Sequence, residues 1–317
     1  MEQEYEIVKH LQLEDLNIFL VNMTYRRLHV HKEFEICMVL AGSLKVYERQ
    51  GYISLGRGDI VLFNPRQAHE LHSLTENTVL LSIQISGNFC RKIYPDIRLL
   101  EFEENILTLD KYEREQKARL CGSILNLAKF YFLNEPGYNF FCMSSLFELW
   151  GILINYYPWH IITEKEKAER YNKSNRLEHI MAYIDAHFTE KILLTDIAEE
   201  EHLSLNYLSH FFKDMIGMSF QQYVALLRFD RARRLVEHTS MSITTICMEC
   251  GFSDYRYLNN IYKKQLGYTP IEYRNSHAVT DGYIEKKATD LENMQEFYSR
   301  EESLKLLKIA ETQGIFI

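Results

Sequence analysis

Three histidines and one glutamate near the beginning of the chain have the residue types of a metal site or a polar ligand site. His29, His31 and Glu35 are followed by Gly42 in the spacing His-x-His-x3-Glu-x6-Gly, and His69 lies further along. On a single strand, alternation would place His29, His31 and Glu35 on one face. Imidazoles and a carboxylate on one face can share a divalent cation, or they can line a cavity for a small molecule.

This spacing resembles the first motif of cupin barrels, in which two histidines and a glutamate bind a divalent metal. The second cupin motif is matched only approximately, because Gly58 to Pro65 has one residue too many and Pro65 to His69 has one too few. The resemblance offers His69 as a fourth ligand. Metal ligation stays open, but we favour a metal-free cavity in which these groups, with Tyr25 and Tyr47, bind a small-molecule effector.

The chain beyond residue 190 repeats itself, first at an offset of 49 residues and, after one insertion, at an offset of 50. The matched pairs include Ile197 with Ile246, Ser204 with Ser253, Leu208 with Leu258, Phe212 with Tyr262, Lys213 with Lys263, Gly217 with Gly267 and Tyr223 with Tyr273. Each copy predicts a short helix, a tight turn and a second helix whose apolar residues face inward. Ser204 and Ser253 stand where the N-cap of each second helix is expected.

The second helix of each copy has a polar outer face. Its residues are Asn206, Tyr207, Ser209 and His210 in the first copy, and Arg256, Tyr257, Asn259 and Asn260 in the second. Two helices joined by a short turn allow the second to lie in the major groove of DNA, where Asn and Arg pair bidentately with adenine and guanine. Ordinary surface helices have similar faces, but the repetition and the arginine-rich helix between the copies favour DNA binding.

The same segment resembles the signature of AraC/XylS-type transcription regulators. The resemblance covers about Leu177–Arg274 and is carried by Gly251-Phe252, Tyr262-Lys263, Gly267-Tyr268-Thr269-Pro270 and Tyr273-Arg274. Leu258 and Tyr262 stand where the family usually has phenylalanine, and both keep the apolar character. The resemblance implies an all-α double helix-turn-helix domain that binds double-stranded DNA, and a barrel that binds an effector, often a sugar.

The resemblance also assigns roles to individual residues. The family's base-contacting positions fall on Asn206, Tyr207, Ser209, His210, Arg256, Tyr257 and Asn260, with Asn259 on the same predicted face. The basic residues expected to contact phosphates are Lys213, Arg228, Arg231, Lys263 and Lys264. Thr269 and Glu272 flank Pro270 as a capping box, which predicts the start of one more helix.

The net charge argues at first against a nucleic-acid partner. The 317 residues carry a formal charge of −8, yet nine Lys and Arg stand against six Asp and Glu between Lys213 and Arg274. The predicted DNA-binding segment is therefore modestly basic and the rest of the chain is acidic. We expect non-specific DNA binding to be weak. A hydrophobic fraction of 46% excludes a disordered chain.

The spacing of apolar residues predicts the strands and helices that hold the candidate functional residues in place. Short runs separated by glycine turns predict a sandwich or small barrel of strands at Asn17–Thr24, Phe34–Ala41, Leu44–Glu48, Tyr52–Leu55, Asp59–Phe63 and Val79–Ile85. From about Leu107 the spacing changes to three and four residues, which predicts one helix ending before Pro136 and a second at Phe140–Tyr157. This helical hairpin serves either as a domain core or as a dimer interface.

The remaining segments are harder to assign. Thr163–Asn175 is charged and polar and is predicted to be a linker. The extension beyond Arg274 predicts an amphipathic helix that carries Leu291, Met294, Phe297, Leu304 and Leu307. The six cysteines are too scattered for a disulfide scaffold, and neither a secretion signal nor a membrane span is predicted, so we expect a cytoplasmic protein.

Together these patterns predict a multi-domain α+β chain. The predicted domains are a cupin-like all-β barrel at 1–95, a helical hairpin linker at 96–172, a double helix-turn-helix domain at 173–276 and an extension at 277–317. The predicted function is a non-enzymatic transcription regulator without a cofactor, whose partners are operator DNA, an effector, a second copy and RNA polymerase, but no membrane. The alternative is a metal-dependent cupin enzyme that uses His29, His31, Glu35 and His69.

Overall fold

The computed structural model describes residues 13, 15–48, 51–75, 77–103, 114–276 and 294–312, which form two compact units. The barrel unit comprises the described residues up to Asn175 together with Met294–Thr312. The helical unit comprises Arg176–Ser276. Within the described part of the chain, no helix is both long and apolar enough to cross a membrane.

Eight strands of the barrel unit build one antiparallel sheet that closes into a near-complete barrel. They are β1 (Leu16–His29), β2 (Phe34–Ala41), β3 (Leu44–Glu48), β4 (Gly51–Leu55), β5 (Ile60–Phe63), β6 (His69–Ser73), β7 (Thr78–Ile85) and β10 (Met294–Phe297). Their order is β4-β3-β6-β1-β7-β2-β5, with β10 paired to β1. All six predicted strands are present. Strand β6 was not predicted, because its sequence is mostly polar.

The other elements are helical, except for a small ribbon of β8 (Leu100–Phe102) and β9 (Trp159–Ile161). The barrel unit contains a 3-10 turn (Pro95–Leu99), α1 (Arg114–Leu133), α2 (Tyr138–Tyr156) and α10 (Arg300–Thr312). Helix α3 (Glu164–His187) begins in the barrel unit and ends in the helical unit. The helical unit continues with α4 (Leu194–Glu200), α5 (Leu205–Ile216), α6 (Phe220–His238), α7 (Ile243–Glu249), α8 (Tyr255–Leu266) and α9 (Pro270–Ser276).

The two faces of the sheet belong to separate apolar cores. On the outer face, Leu20, Ile36 and Leu81 share a core with α1, α2 and α10. On the inner face, Val39 and Phe63 are fully buried inside the barrel with other apolar side chains. Because side chains alternate along a strand, neighbouring residues contribute to different cores. The hairpin α1–α2 therefore shares a core with the barrel, as the domain-core interpretation of the hairpin predicts, and does not form a separate segment at 96–172.

The predicted linker at Thr163–Asn175 is helical, because Glu164–Asn175 is the first half of α3, and the boundary between the two units falls directly after it. The Oγ1 atom of Thr163 accepts a hydrogen bond from the Glu166 N–H at 3.1 Å. The Glu166 carboxylate in turn accepts one from the Thr163 N–H at 2.7 Å. This capping box starts a helix whose first turns are mostly exposed, and an exposed helix needs few apolar residues.

The predicted amphipathic helix of the C-terminal extension is present in part: Leu304 and Leu307 lie in helix α10, whereas Met294 and Phe297 lie in strand β10. This strand pairs antiparallel with β1, so that Val21 lies opposite Phe297. Helix α10 follows and buries Leu307 and Ala310 in the outer core. Leu291 lies outside the described residues. By pairing with β1, the extension covers backbone groups that an open strand edge would expose.

Candidate nucleic-acid interface and histidine cluster

Helix α5 presents the first polar face of the repeat to solvent. As predicted, Ser204 is its N-cap, and the Ser204 Oγ accepts a hydrogen bond from the Tyr207 N–H at 3.3 Å. The predicted base-contacting residues of this helix are all exposed, namely Asn206, Tyr207, Ser209 and His210. The Tyr207 hydroxyl accepts a hydrogen bond from Arg176 Nη1 at 2.9 Å, which holds this side chain at the beginning of the helix.

Helix α8 presents the second polar face, and its N-cap is Asp254 rather than the predicted Ser253. The helix begins at Tyr255, so the residue directly before it is Asp254. The Asp254 carboxylate accepts bonds from the Arg256 N–H at 2.7 Å and from the Arg256 guanidinium at 2.8 Å. These hydrogen bonds lower the pKa of Asp254. Arg256 and Tyr257 are 85% and 64% exposed, and Asn260 is exposed as well.

Asn259 differs from its neighbours on α8. Its side chain is only partly exposed, and its Oδ1 atom is buried without a hydrogen-bond partner among the described residues. A side chain turned inward does not lie on the face that Arg256, Tyr257 and Asn260 share. Asn259 is therefore less accessible for a base contact than Arg256, Tyr257 and Asn260.

The predicted phosphate-contacting residues fall into two groups. Lys213, Lys263 and Lys264 are exposed near the carboxyl ends of α5 and α8. Arg228 instead donates hydrogen bonds to the backbone carbonyls of Phe188 and Glu190, both at 2.6 Å. The Arg231 guanidinium carbon lies 6.0 Å from the centre of the Phe188 ring. These two arginines hold α6 against Phe188 and Glu190, which follow α3. Their contacts in this structure are therefore structural.

The Tyr273-Arg274 element joins α9 to α6, a role that the sequence motif does not reveal. Tyr273 donates a hydrogen bond to Glu237, which also accepts one from Arg233 at 2.9 Å. Arg274 donates to the backbone carbonyl of Met241 at 2.8 Å. The signal in the sequence was the repetition of Tyr223 at Tyr273, but spacing alone does not identify a partner on another helix.

The histidine cluster, defined as His29, His31, Glu35 and His69, forms at one end of the barrel, where all four residues are buried. The Nε2 atoms of His31 and His69 lie 2.7 and 3.1 Å from the same oxygen, Glu35 Oε2. The ring centres of His29 and His69 are 4.1 Å apart. One ligand atom of each residue lies within 4.8 Å of all the others.

The predicted placement of three cluster residues on a single strand is wrong. Strand β1 ends at His29, His31 lies in the connection, and Glu35 is the second residue of β2. The turn between the strands folds these residues together, and β6 places His69 opposite His29. Ser82 on β7 also donates a hydrogen bond to Glu35 Oε1. The sequence signal for Ser82 was a hydroxyl within the mostly apolar run Val79–Ile85.

Each histidine of the cluster is oriented by its own backbone. The Nδ1 atoms of His29, His31 and His69 lie 2.9, 3.1 and 3.0 Å from carbonyl oxygens two residues away, those of Arg27, Glu33 and Gln67. A carbonyl oxygen only accepts hydrogen bonds, so each Nδ1 carries the proton and each Nε2 is directed away from that carbonyl. This is the second-sphere arrangement that orients metal-binding histidines in proteins.

The electrostatics of the cluster favour an ionised carboxylate. Burial by itself raises the pKa of Glu35, but the charges and hydrogen bonds of His31 and His69 outweigh it and hold this pKa well below the usual value. Burial and the neighbouring His69 lower the pKa of His29, which is therefore neutral at physiological pH. Two imidazole nitrogens that share one carboxylate oxygen need protons or a cation between them, because all three atoms carry lone pairs. Three imidazoles and one carboxylate therefore fit a divalent transition metal.

Tyr25 and Tyr47 do not join the histidine cluster as predicted. Tyr25 lies opposite His72, and Tyr47 lies opposite Glu70, so both share a sheet face with the even-numbered residues of β6. His69 lies on the other face because alternate residues of a strand point in opposite directions. The Tyr25 hydroxyl donates to Glu70 Oε1 at 3.0 Å. Burial, together with the charge of Glu70, raises the pKa of Tyr47 to about 12.

Comparison with known families gives a match for each unit. Residues 21–148 match the AraC-like ligand binding domain, and residues 197–276 match a helix-turn-helix domain. The first match lies in the barrel unit and the second in the helical unit.

Individual relatives match a shorter part of the chain. The HTH-type transcriptional activator RhaS of Escherichia coli strain SE11 is 30% identical over 114 residues, which are 36% of this chain and 40% of that protein. The HTH-type transcriptional activator RhaR of Mannheimia succiniciproducens is 28% identical over 113 residues, 36% of this chain and 41% of that protein. The alignments therefore span less than half the length of these curated relatives. Among solved structures, ToxT from Vibrio cholerae has 15% identity and a TM-score of 0.36 over 83% of this chain and 98% of its own.

Proposed function

The chain has the two-domain architecture of AraC-type transcription regulators, and from this premise we propose that it controls transcription by binding operator DNA through α5 and α8. The observation that carries this proposal is the repeated construction of these two helices. Each has a polar N-cap, a buried inner face and an exposed face of hydrogen-bonding side chains. Two such helices in one chain suit two successive stretches of major groove.

Selection of double-stranded DNA from a random pool by the full chain tests this proposal. We expect enrichment of a site with two separate sequence elements, one for each helix. Binding of the enriched site, measured by fluorescence anisotropy, should weaken with added salt because counterions are released from the DNA. Arg256→Ala should weaken it, and Arg119→Ala, which removes an exposed arginine from α1, should not. Absence of an enriched site, or binding that is insensitive to salt, would contradict the proposal.

We propose that the barrel unit is the effector-responsive part of the regulator and that the histidine cluster is its polar centre. Four buried polar side chains in an apolar barrel are costly unless they are paired or bind something. An effector can regulate DNA binding only if it binds one state of the protein better than another. A thermal-shift screen of sugars tests this: a shift that is present in the native chain and absent in His69→Ala would support it, and no shift with any sugar would exclude this class.

The geometry at Glu35 favours a second candidate, in which the histidine cluster holds a divalent metal. His29, His31, His69 and Glu35 would be the ligands, and the metal would supply a fixed positive charge between the imidazoles and the carboxylate. Metal analysis of the purified full chain should then find about one equivalent of Zn, Fe or Mn per chain. His31→Ala should lose it, whereas His72→Ala, which removes a histidine on the opposite sheet face, should keep it. Metal-dependent turnover would favour the enzyme alternative, although both relatives described above are named transcriptional activators.

We further propose that the hairpin mediates dimerisation. Helix α2 contributes Leu146 and Leu149 to the outer core, yet it leaves Phe140 and Phe141 76% and 55% exposed. Exposed aromatic side chains at adjacent positions are typical of protein interfaces. Light scattering of the full chain should show a dimer, and Phe140→Glu with Phe141→Glu should shift it to a monomer without changing the circular dichroism spectrum.

A further inference from the structure

A cleft on the barrel unit is lined by none of the four residues of the histidine cluster, although Lys32 and Glu33 in its wall directly follow His31 in the chain. Its volume is about 540 Å³, within the range of about 300–1,000 Å³ that is typical of small-molecule sites. Its walls come from the β1–β2 connection, the β5–β6 connection, the segment after β7, the 3-10 turn with β8, and the first turns of α3. Five stretches that are distant in sequence therefore converge on one concave surface.

The cleft has an excess of positive charge. Its charged lining residues are the basic Lys32, Arg66, Arg98, Lys167 and Arg170 and the acidic Glu33, Glu101 and Glu164. Two of the arginines are neutralised by ion pairs, Arg98 with Glu164 and Arg170 with Glu101. The lining thus carries two more positive than negative charges, although the whole chain is acidic.

Lys167 and Arg66 are the basic residues best placed to receive an anion. Among the described residues, Lys167 has no carboxylate within ion-pair distance. Burial and the nearby charge of Arg98 lower the pKa of Lys167, so its positive charge is incompletely compensated. The Arg66 guanidinium is held in place, since its carbon lies 4.1 Å from the centre of the Tyr171 ring and its Nη1 donates to Ser174 Oγ at 2.8 Å.

Apolar side chains complete the lining beside these charges. Leu100, Ile162 and Tyr171 present aliphatic and aromatic surface to the cleft. We propose that this cleft binds a small organic anion, whose carboxylate or phosphate contacts Lys167 and Arg66 while its apolar part lies against Leu100, Ile162 and Tyr171. Positive charge in a partly desolvated cleft gives strong charge-assisted hydrogen bonds, and the apolar wall selects against inorganic ions.

Isothermal titration calorimetry on the full chain tests the proposal with phenyl phosphate and benzoate as separate probes. Inorganic phosphate measures the contribution of charge alone, and benzyl alcohol measures that of the ring alone. We expect at least one organic anion to bind more tightly than inorganic phosphate, benzyl alcohol not to bind, and the affinity to fall with added salt. The stronger of the two anions identifies the acid group that the cleft prefers. No DNA is present, so the outcome is independent of the proposed regulator function.

Variants on one helix locate the binding site. Lys167→Gln should weaken binding of the organic anion about tenfold, and Lys167→Glu should abolish it. Lys165→Gln removes an exposed lysine from the same helix outside the cleft and should leave binding unchanged. A thermal unfolding scan of each variant shows that it is folded. The proposal is overturned if neither organic anion binds at millimolar concentration, or if Lys167→Glu binds them as well as the native chain does.

Discussion

The two helix-turn-helix copies share a core but differ in the polar groups that start and line their second helices. Phe212 in the first copy and Tyr262 in the second are both completely buried. Ser204 caps α5 with a neutral hydroxyl, whereas Asp254 caps α8 with a carboxylate that also holds Arg256. The repeat therefore preserves the side chains that pack and varies those that face outward.

The outer faces extend this contrast. Asn206 in α5 corresponds to Arg256 in α8, and Lys213-Asp214 corresponds to Lys263-Lys264. The second copy therefore carries more positive charge on the same framework. Because bases are recognised by side-chain chemistry and phosphates by charge, we expect the copies to prefer different base sequences. We also expect the second copy to supply more of the salt-dependent affinity.

The largest expected effect is the loss of stability when a buried ring is removed from the core that the two copies have in common. Phe212→Ala and Tyr262→Ala should each lower the free energy of unfolding of the helical unit by about 3–5 kcal/mol, because each leaves a cavity in place of a buried ring. Urea unfolding followed by circular dichroism measures this loss. Both tryptophans, Trp150 and Trp159, lie in the barrel unit, so their fluorescence transition is an internal control and should not move.

Tyr262→Phe is the matched control for this pair. The Tyr262 hydroxyl is buried without a hydrogen-bond partner among the described residues. Removing it should leave stability unchanged or raise it by about 1 kcal/mol, since an unsatisfied buried hydroxyl is unfavourable. A marked loss of stability would show that the hydroxyl is hydrogen-bonded, and that the two cores are less alike than their burial indicates.

The next largest expected effect is a loss of DNA affinity that differs between the exposed faces of α5 and α8. Arg256→Ala should weaken binding to the selected DNA by about 1–3 kcal/mol, which is the discrimination that one bidentate base contact supplies. Asn206→Ala should weaken it as well, but only when the DNA element read by α5 is intact. Anisotropy titrations against DNA with one element scrambled at a time provide this measurement. Equal sensitivity of both variants to both scrambled elements would mean that the two helices do not read separate sequences.

The N-caps should differ in their response to pH. Ser204→Ala should destabilise α5 by about 1 kcal/mol, and by the same amount at neutral and acidic pH. Asp254 has a pKa below its usual value, so the stabilisation that its carboxylate provides is present above the ordinary pKa and is lost as the pH falls through the lowered one. Asp254→Asn should therefore weaken α8 at neutral pH, and the difference from the native chain should disappear in acid.

Amide hydrogen exchange measures both caps in one sample, because the first turns of α5 and α8 give separate peptides. If acid changed the effect of Ser204→Ala as much as that of Asp254→Asn, the pH response would come from another titrating group.

The smallest effect concerns phosphate contacts. Replacing Lys263 and Lys264 with Gln should reduce the slope of log binding constant against log salt concentration by about 2, and Lys213→Gln should reduce it by about 1. Arg228→Gln should leave the slope unchanged and lower the stability of the helical unit, because Arg228 bonds backbone carbonyls. A smaller slope in Arg228→Gln would show that Arg228 does contact a DNA phosphate.

Prediction from sequence succeeded where neighbours along the chain decide the outcome. Strands β2 and β3 begin and end at the predicted residues, and the Thr269–Glu272 capping box is present, with the Thr269 N–H donating to Glu272 at 2.7 Å. The four residues of the histidine cluster were also identified, but their arrangement was not. The alternation of residues 29–35 did not show that β1 ends at His29 and that β2 begins only at Phe34, so the turn between them was missed.

The sequence by itself determined the repeat, the buried positions of each copy and the nature of both units, because helix and strand periods are properties of short stretches of backbone. Only the tertiary structure decided which distant groups meet. It brings His69 to Glu35 across 34 residues, separates Tyr25 and Tyr47 from that cluster, and gives Arg228 two backbone carbonyls as partners. The physical reason is that such contacts depend on how the whole chain buries its apolar surface, and no local pattern carries that information.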